Sequence, residues 1–106
     1  MENYFILTDS MPSYEGGAEA FSAFLNNELK YPEEAKREGI EGHVYVQFIV
    51  EKDGSLSDIK AIKGIGGGCE NEAERVMGFV PGFKPGLDRG APVRVQMVLA
   101  IEFKLS

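Results

Sequence analysis

From Val93 to Leu105 the chain places an apolar residue at every second position. Val93, Val95, Met97, Leu99, Ile101, Phe103 and Leu105 alternate with Arg94, Gln96, Val98, Ala100, Glu102 and Lys104. A period of two is the mark of a β-strand with one buried face, because successive side chains leave a strand on opposite sides. Such a strand cannot stand alone, so the rest of the chain must supply neighbours and a covering layer. A second stretch with this period runs from Gly42 to Val50, with Val44, Val46, Phe48 and Val50 on one face and His43, Tyr45, Gln47 and Ile49 on the other. Lys52-Asp53-Gly54-Ser55 follows it, and Asp-Gly tolerates the positive φ angles of tight hairpin turns. The return strand, Leu56 to Lys63, alternates less cleanly, and a bulge near Asp58 would restore its facing.

Three helices are predicted around these strands. From Ala18 to Leu29 the residues Ala20, Phe21, Phe24, Leu25 and Leu29 recur at helical spacing. A shorter helix lies in the run from Tyr31 to Ile40, with Pro32 suited to the first turn, Glu33 and Glu34 to the positive end of the dipole, and Gly39 to a left-handed stop. A third, from Glu70 to Val80, carries Cys69, Ala73, Val76, Met77 and Val80 on one stripe. Proline and glycine then make the segment to Gly90 irregular and turn-rich.

The order of elements predicts an α+β fold. It consists of a three-stranded antiparallel sheet in spatial order 2-1-3 with helices packed on one face. The last strand, Val93 to Lys104, is then an edge, whose outward N–H and C=O groups must be guarded or used. Either the chain's own apolar run at Tyr4 to Thr8 or a second copy in a homodimer could cover it.

Composition narrows the function. A formal charge of -6 disfavours a nucleic-acid partner, which is bound by neutralising phosphates. The charge is uneven: residues 1–40 carry eight acids and three bases, residues 81–106 two acids and four bases. No stretch reaches the ~20 apolar residues of a membrane-spanning helix.

No motif carries catalysis. Lys63 to Val76 reads KGIGGGCENEAERV, a glycine loop opening a helix, but Cys69 stands where a dinucleotide fingerprint needs its third glycine, and no Gly-Lys-Ser/Thr is present. Glu70, Glu72 and Glu74 also place carboxylates where a phosphate would need the positive helix end. The glycines read as a flexible connector. His43, the only histidine, reads as a partly exposed strand residue, and no metal or cofactor site is expected. Cys69, the only cysteine, reads as a small buried residue, although a thiol at a helix start can be activated. The expectation is that the chain is not an enzyme.

One combination is specific. Tyr31-Pro32-x-x-Ala35-x-x-x-Gly39-x-x-Gly42-x-Val44-x-Val46-x-Phe48-x-Val50-x-x-Asp53-Gly54 resembles the core signature of the TonB C-terminal domain family. Glu72-Ala73, Phe83-x-Pro85-Gly86, Gly90-x-Pro92-Val93 and Ile101-x-Phe103 continue it, and the resemblance extends from Met11 to Leu105. Met11-Pro12 with Gly16-Gly17 is similar to the branch common in Bacteroidetes. Phe83 departs from the tryptophan more often found there, and Leu87-Asp88-Arg89 from a more basic stretch.

The resemblance implies a TonB/TolA-like fold at residues 11–106, preceded by an N-terminal extension at 1–10. It implies the periplasmic domain of an inner-membrane-anchored energy transducer that works with ExbB and ExbD through parts outside this chain. The partner would be the TonB box of an outer-membrane receptor, added as a strand to the sheet edge to drive uptake of siderophores, vitamin B12 or glycans. The receiving residues would be Val93, Arg94, Val95, Gln96, Met97, Val98, Leu99, Ala100, Ile101, Glu102, Phe103 and Lys104. An alternative is a TonB-like interaction module of a membrane sensor or regulator, or a self-associating scaffold.

Overall fold

The structure, a computed structural model, describes residues 3–105. In chain order it contains β1 (Ser13–Tyr14), α1 (Gly17–Glu28), α2 (Glu33–Glu38), β2 (Gly42–Val50), β3 (Leu56–Lys63), α3 (Cys69–Met77), β4 (Phe83–Lys84), β5 (Gly86–Asp88), β6 (Ala91–Val93) and β7 (Val95–Phe103). The main sheet is antiparallel with order β3-β2-β7, which is the 2-1-3 arrangement expected.

The period-two residues dictate which face is buried. Val44, Val46, Phe48 and Val50 of β2 meet Val95, Ile101 and Phe103 of β7 in the core, together with Ala35 of α2 and Cys69, Ala73, Val76 and Met77 of α3. Phe21 and Leu25 of α1 pack on the same cluster. Burying a side chain such as Phe48 or Phe103 contributes roughly 1.5–3 kcal/mol, so one face of helices is enough to hold the sheet.

The hairpin between β2 and β3 differs in detail from the expected turn. Glu51 N–H bonds to Ser55 O at 2.8 Å and Gly54 N–H to Glu51 O at 2.9 Å, and only Gly54 has positive φ, at 88°. This is a three-residue loop closed by a left-handed glycine, a form that accommodates the twist of the flanking strands. The bulge falls where expected: register slips between Gln47 and Ile49 opposite Lys60 and Ser57, and Asp58 takes φ 50°.

Two small sheets escaped the sequence reading. β1 pairs with β4, setting Tyr14 opposite Phe83, and β5 pairs with β6 through a turn at Arg89 and Gly90 with φ 53° and 81°. That hairpin corrects the long terminal strand: Val93 belongs to β6, Arg94 lies between strands, and the sheet strand begins at Val95 and ends at Phe103.

The glycine loop is dictated by stereochemistry. Gly66, Gly67 and Gly68 all have left-handed φ angles, and a Cβ on Gly67 would sit 2.8 Å from Ile40 Cδ1 and 3.0 Å from Ala35 Cβ. The flexible-connector reading therefore gives way to a tight, closely packed turn that seats α3 against α2.

Candidate functional site

β7 has β2 along one side only. Across the pairing Val95 faces Val50, Met97 faces Phe48, Leu99 faces Val46 and Ile101 faces Val44. On the outer side Phe5 N–H donates to Arg94 O, and Gln96 N–H donates to Phe5 O, both at 2.8 Å, in a parallel bridge centred on Val95. Backbone groups alternate sides along a strand, so the outward direction of Gln96 continues at Val98, Ala100 and Glu102. Among the described residues, no other segment pairs with this side of β7. The chain's own N-terminal run thus holds the start of the edge and leaves the rest open.

The opposite edge is treated differently. Bulges break the register of β3, and its Ala61 N–H donates to Glu74 Oε2 of α3 at 2.8 Å. A helix carboxylate therefore occupies a backbone donor there, which is one way to blunt an edge.

Side chains along β7 divide as the alternation predicts. Val95, Ile101 and Phe103 are buried, whereas Val98, Ala100 and Glu102 are exposed and Gln96 is half-buried. Arg94 is held elsewhere: its Nε donates to Glu51 Oε1 at 2.7 Å. That bond, and a second from Ser57 Oγ, hold the Glu51 carboxyl below its ordinary range. Leu105 N–H, just beyond β7, bonds to Glu41 Oε2 at 2.5 Å and ties the strand's end to the start of β2.

Beside the edge lies an apolar pocket of about 230 Å³, lined by Met97 and Leu99 of β7, Pro12, Ser13 and Tyr14 of the β1 region, Gly17, Ala18 and Phe21 of α1, and Phe83 of β4. The Tyr14 ring lies 5.1 Å from Phe21 and 5.7 Å from Phe83, so the floor is a cluster of edge-packed aromatics. Only Met97 and Leu99 of these were read from the sequence as site residues. Tyr14 and Phe83 are brought together by a two-residue strand pair that leaves no periodic signal.

At the start of α3 a donor of the glycine loop turns back onto the helix itself. Gly66 N–H donates to Glu70 Oε2 at 2.9 Å, so the helix's own carboxylate takes the donor an anion would need. Cys69 is fully buried, and burial, then Glu70 and Glu72, push its thiol above the ordinary range. His43 is exposed on β2, and among the described residues no group of three or more His, Cys, Asp or Glu is placed to hold a metal. No helix among the described residues is long and apolar enough to cross a membrane.

The family model described as Gram-negative bacterial TonB protein C-terminal matches residues 27–105. The chain belongs to the TonB C-terminal family. Two curated relatives, each named Protein TonB and each from a strain of Helicobacter pylori, are 44% identical over 39 residues, covering 37% of this chain and 14% of the relative. This TonB-family chain therefore spans a small part of those relatives' length. Two solution NMR structures of the Helicobacter pylori TonB C-terminal domain share its fold at 24% identity. One aligns with TM-score 0.59 over 80% of this chain and 77% of that chain, the other with 0.55 over 78% and 89%.

Proposed function

We propose that this domain is the receptor-facing, periplasmic end of a TonB-like energy transducer. It grips the TonB box of an outer-membrane receptor by adding that segment as a strand along β7. The observation that carries the reading is the run of outward backbone groups at Val98, Ala100 and Glu102, on the one edge of the main sheet that a helix carboxylate does not occupy. An extended segment satisfies those groups by main-chain hydrogen bonds, while its side chains meet Gln96, Val98, Ala100 and Glu102 on one face and Met97 and Leu99 on the other. Within the stretch from Val93 to Lys104 the receiving part is Val98 to Glu102, since Val93 of β6 pairs with Gly86 of β5, Arg94 holds Glu51 and the Gln96 N–H is taken by Phe5.

Such a grip needs no catalytic residue, cofactor or metal. The energy would come from ExbB and ExbD through segments of the transducer outside this chain, and the work would be uptake of nutrients such as siderophores, vitamin B12 or glycans. One added strand buries little surface, so binding is weak and reversible, as suits a partner that must let go.

Titrating ¹⁵N-labelled domain with a synthetic TonB-box peptide tests the reading. The amides of Val98, Ala100 and Glu102 are expected to shift most. Saturable shifts on another surface with these three unmoved would overturn it.

A further inference from the structure

We infer that the pocket beside Met97 and Leu99 selects an aliphatic side chain at one position of the strand that β7 receives. The inference rests on the strand-addition reading and deepens it, because backbone hydrogen bonds alone cannot tell one extended peptide from another.

The position of the pocket comes first. Of the main sheet it is lined by Met97 and Leu99 of β7, with no residue from β2 or β3, so it lies at the β7 edge on the core face, under α1. A strand added to β7 places every second side chain on that same face, and the residue opposite Met97 and Leu99 is carried over the pocket.

The chemistry of the walls fixes what enters. No charged residue lines the pocket, and Tyr14, Phe21 and Phe83 form its aromatic side. A carboxylate or ammonium entering it would shed water without gaining a partner, which is unfavourable, whereas an aliphatic group gains by burial. The volume of about 230 Å³ falls below the ~300–1,000 Å³ of small-molecule sites, so it suits a single side chain rather than a cofactor. The Met97 side chain, unbranched and adaptable, forms the movable wall that lets Leu, Ile, Val or Met fit.

The test uses domain labelled in its amides and methyl groups, a TonB-box peptide, and variants of that peptide with each aliphatic position changed in turn to alanine. One alanine variant is expected to bind about tenfold more weakly than the parent, by the loss of a buried aliphatic group. The parent should shift the Met97 and Leu99 methyl resonances, and that variant should not. In Ala18→Phe, whose ring enters the pocket from the exposed side of α1, parent and variant should bind alike. If the edge amides shift but no alanine variant is selectively weakened and the Met97 and Leu99 methyls stay unmoved, the pocket inference is wrong while the edge reading stands. If the edge amides never move, both fall. Peptide-independent methyl shifts that grow with protein concentration would assign the pocket to a second copy and equally overturn it.

Discussion

Phe5 and Gln96 are joined by a single backbone hydrogen bond of 2.8 Å, from the N–H of Gln96 to the carbonyl of Phe5, 91 residues away along the chain. Phe5 returns its own N–H to Arg94 O, so one residue of the N-terminal run closes the first rung of an otherwise open edge. Phe5→Pro deletes that N–H. We expect the Gln96 amide to exchange with solvent about tenfold faster in the variant, with a loss of global stability of no more than about 1 kcal/mol. Amide exchange followed by NMR checks this, and unchanged protection of Gln96 would show that Phe5 does not close the rung.

Gly54 is predicted to be far less replaceable than Gly90. Both have left-handed φ angles, of 88° and 81°, but a Cβ on Gly54 would lie 2.1 Å from Phe83 O, while nothing stands within 4 Å of one on Gly90. Gly90→Ala should cost about 1 kcal/mol from backbone strain alone. Gly54→Ala adds the displacement of β4, whose Phe83 N–H bonds to Gly54 O at 2.8 Å, and should cost about 3 kcal/mol or more. Urea unfolding of the two variants gives the comparison, and equal losses would contradict it.

The Glu51–Arg94 pair sets a limb of the acid unfolding curve. Hydrogen bonds from Arg94, then Ser57, lower the Glu51 pKa in the folded state, so the carboxylate's contribution is present above its unfolded value of about 4.3 and is lost as pH falls through the depressed folded value. Glu51→Gln should therefore be less stable than the parent at neutral pH and converge toward it below about pH 4. Thermal unfolding measured from pH 7 to pH 3 would show the two curves closing, and a constant gap would exclude the pair as their cause.

Cys69 should resist thiol reagents in the folded domain. It is fully buried, and its thiol is held above the ordinary range by burial and by Glu70 and Glu72, so little thiolate is available near neutral pH. Ellman's reagent should react at least tenfold more slowly with native than with urea-unfolded protein. Fast native labelling would reopen a role for this sulfur.

The strands that build the main sheet were legible because β2 and β7 each bury one face, and burial on one face imposes the period of two. The bulge at Asp58 was visible as a break in that period. The Tyr14–Phe83 and Gly86–Val93 pairings left no such trace: two or three residues are too few to show a period, and their partners are set by tertiary contacts. Arg94 kept the alternation going past the true end of the sheet strand, because an alternating pattern cannot reveal that a side chain is diverted to Glu51. The open edge was legible as a consequence of strand order. The pocket beside it was not, because its walls come from residues separated by most of the chain and meet only once α1 has packed over β7.

The unbroken register of β7 against β2, from Gly42–Phe103 to Val50–Val95, has a mechanical consequence. Hydrogen bonds in an antiparallel pair lie perpendicular to the strands, so a pull directed along β7 strains all of them in shear at the same moment. A pull across the sheet would instead open them one by one from an end. A cord tied to this edge and drawn along its axis would load the whole β2–β7 ladder at once, with the central strand as its anchor.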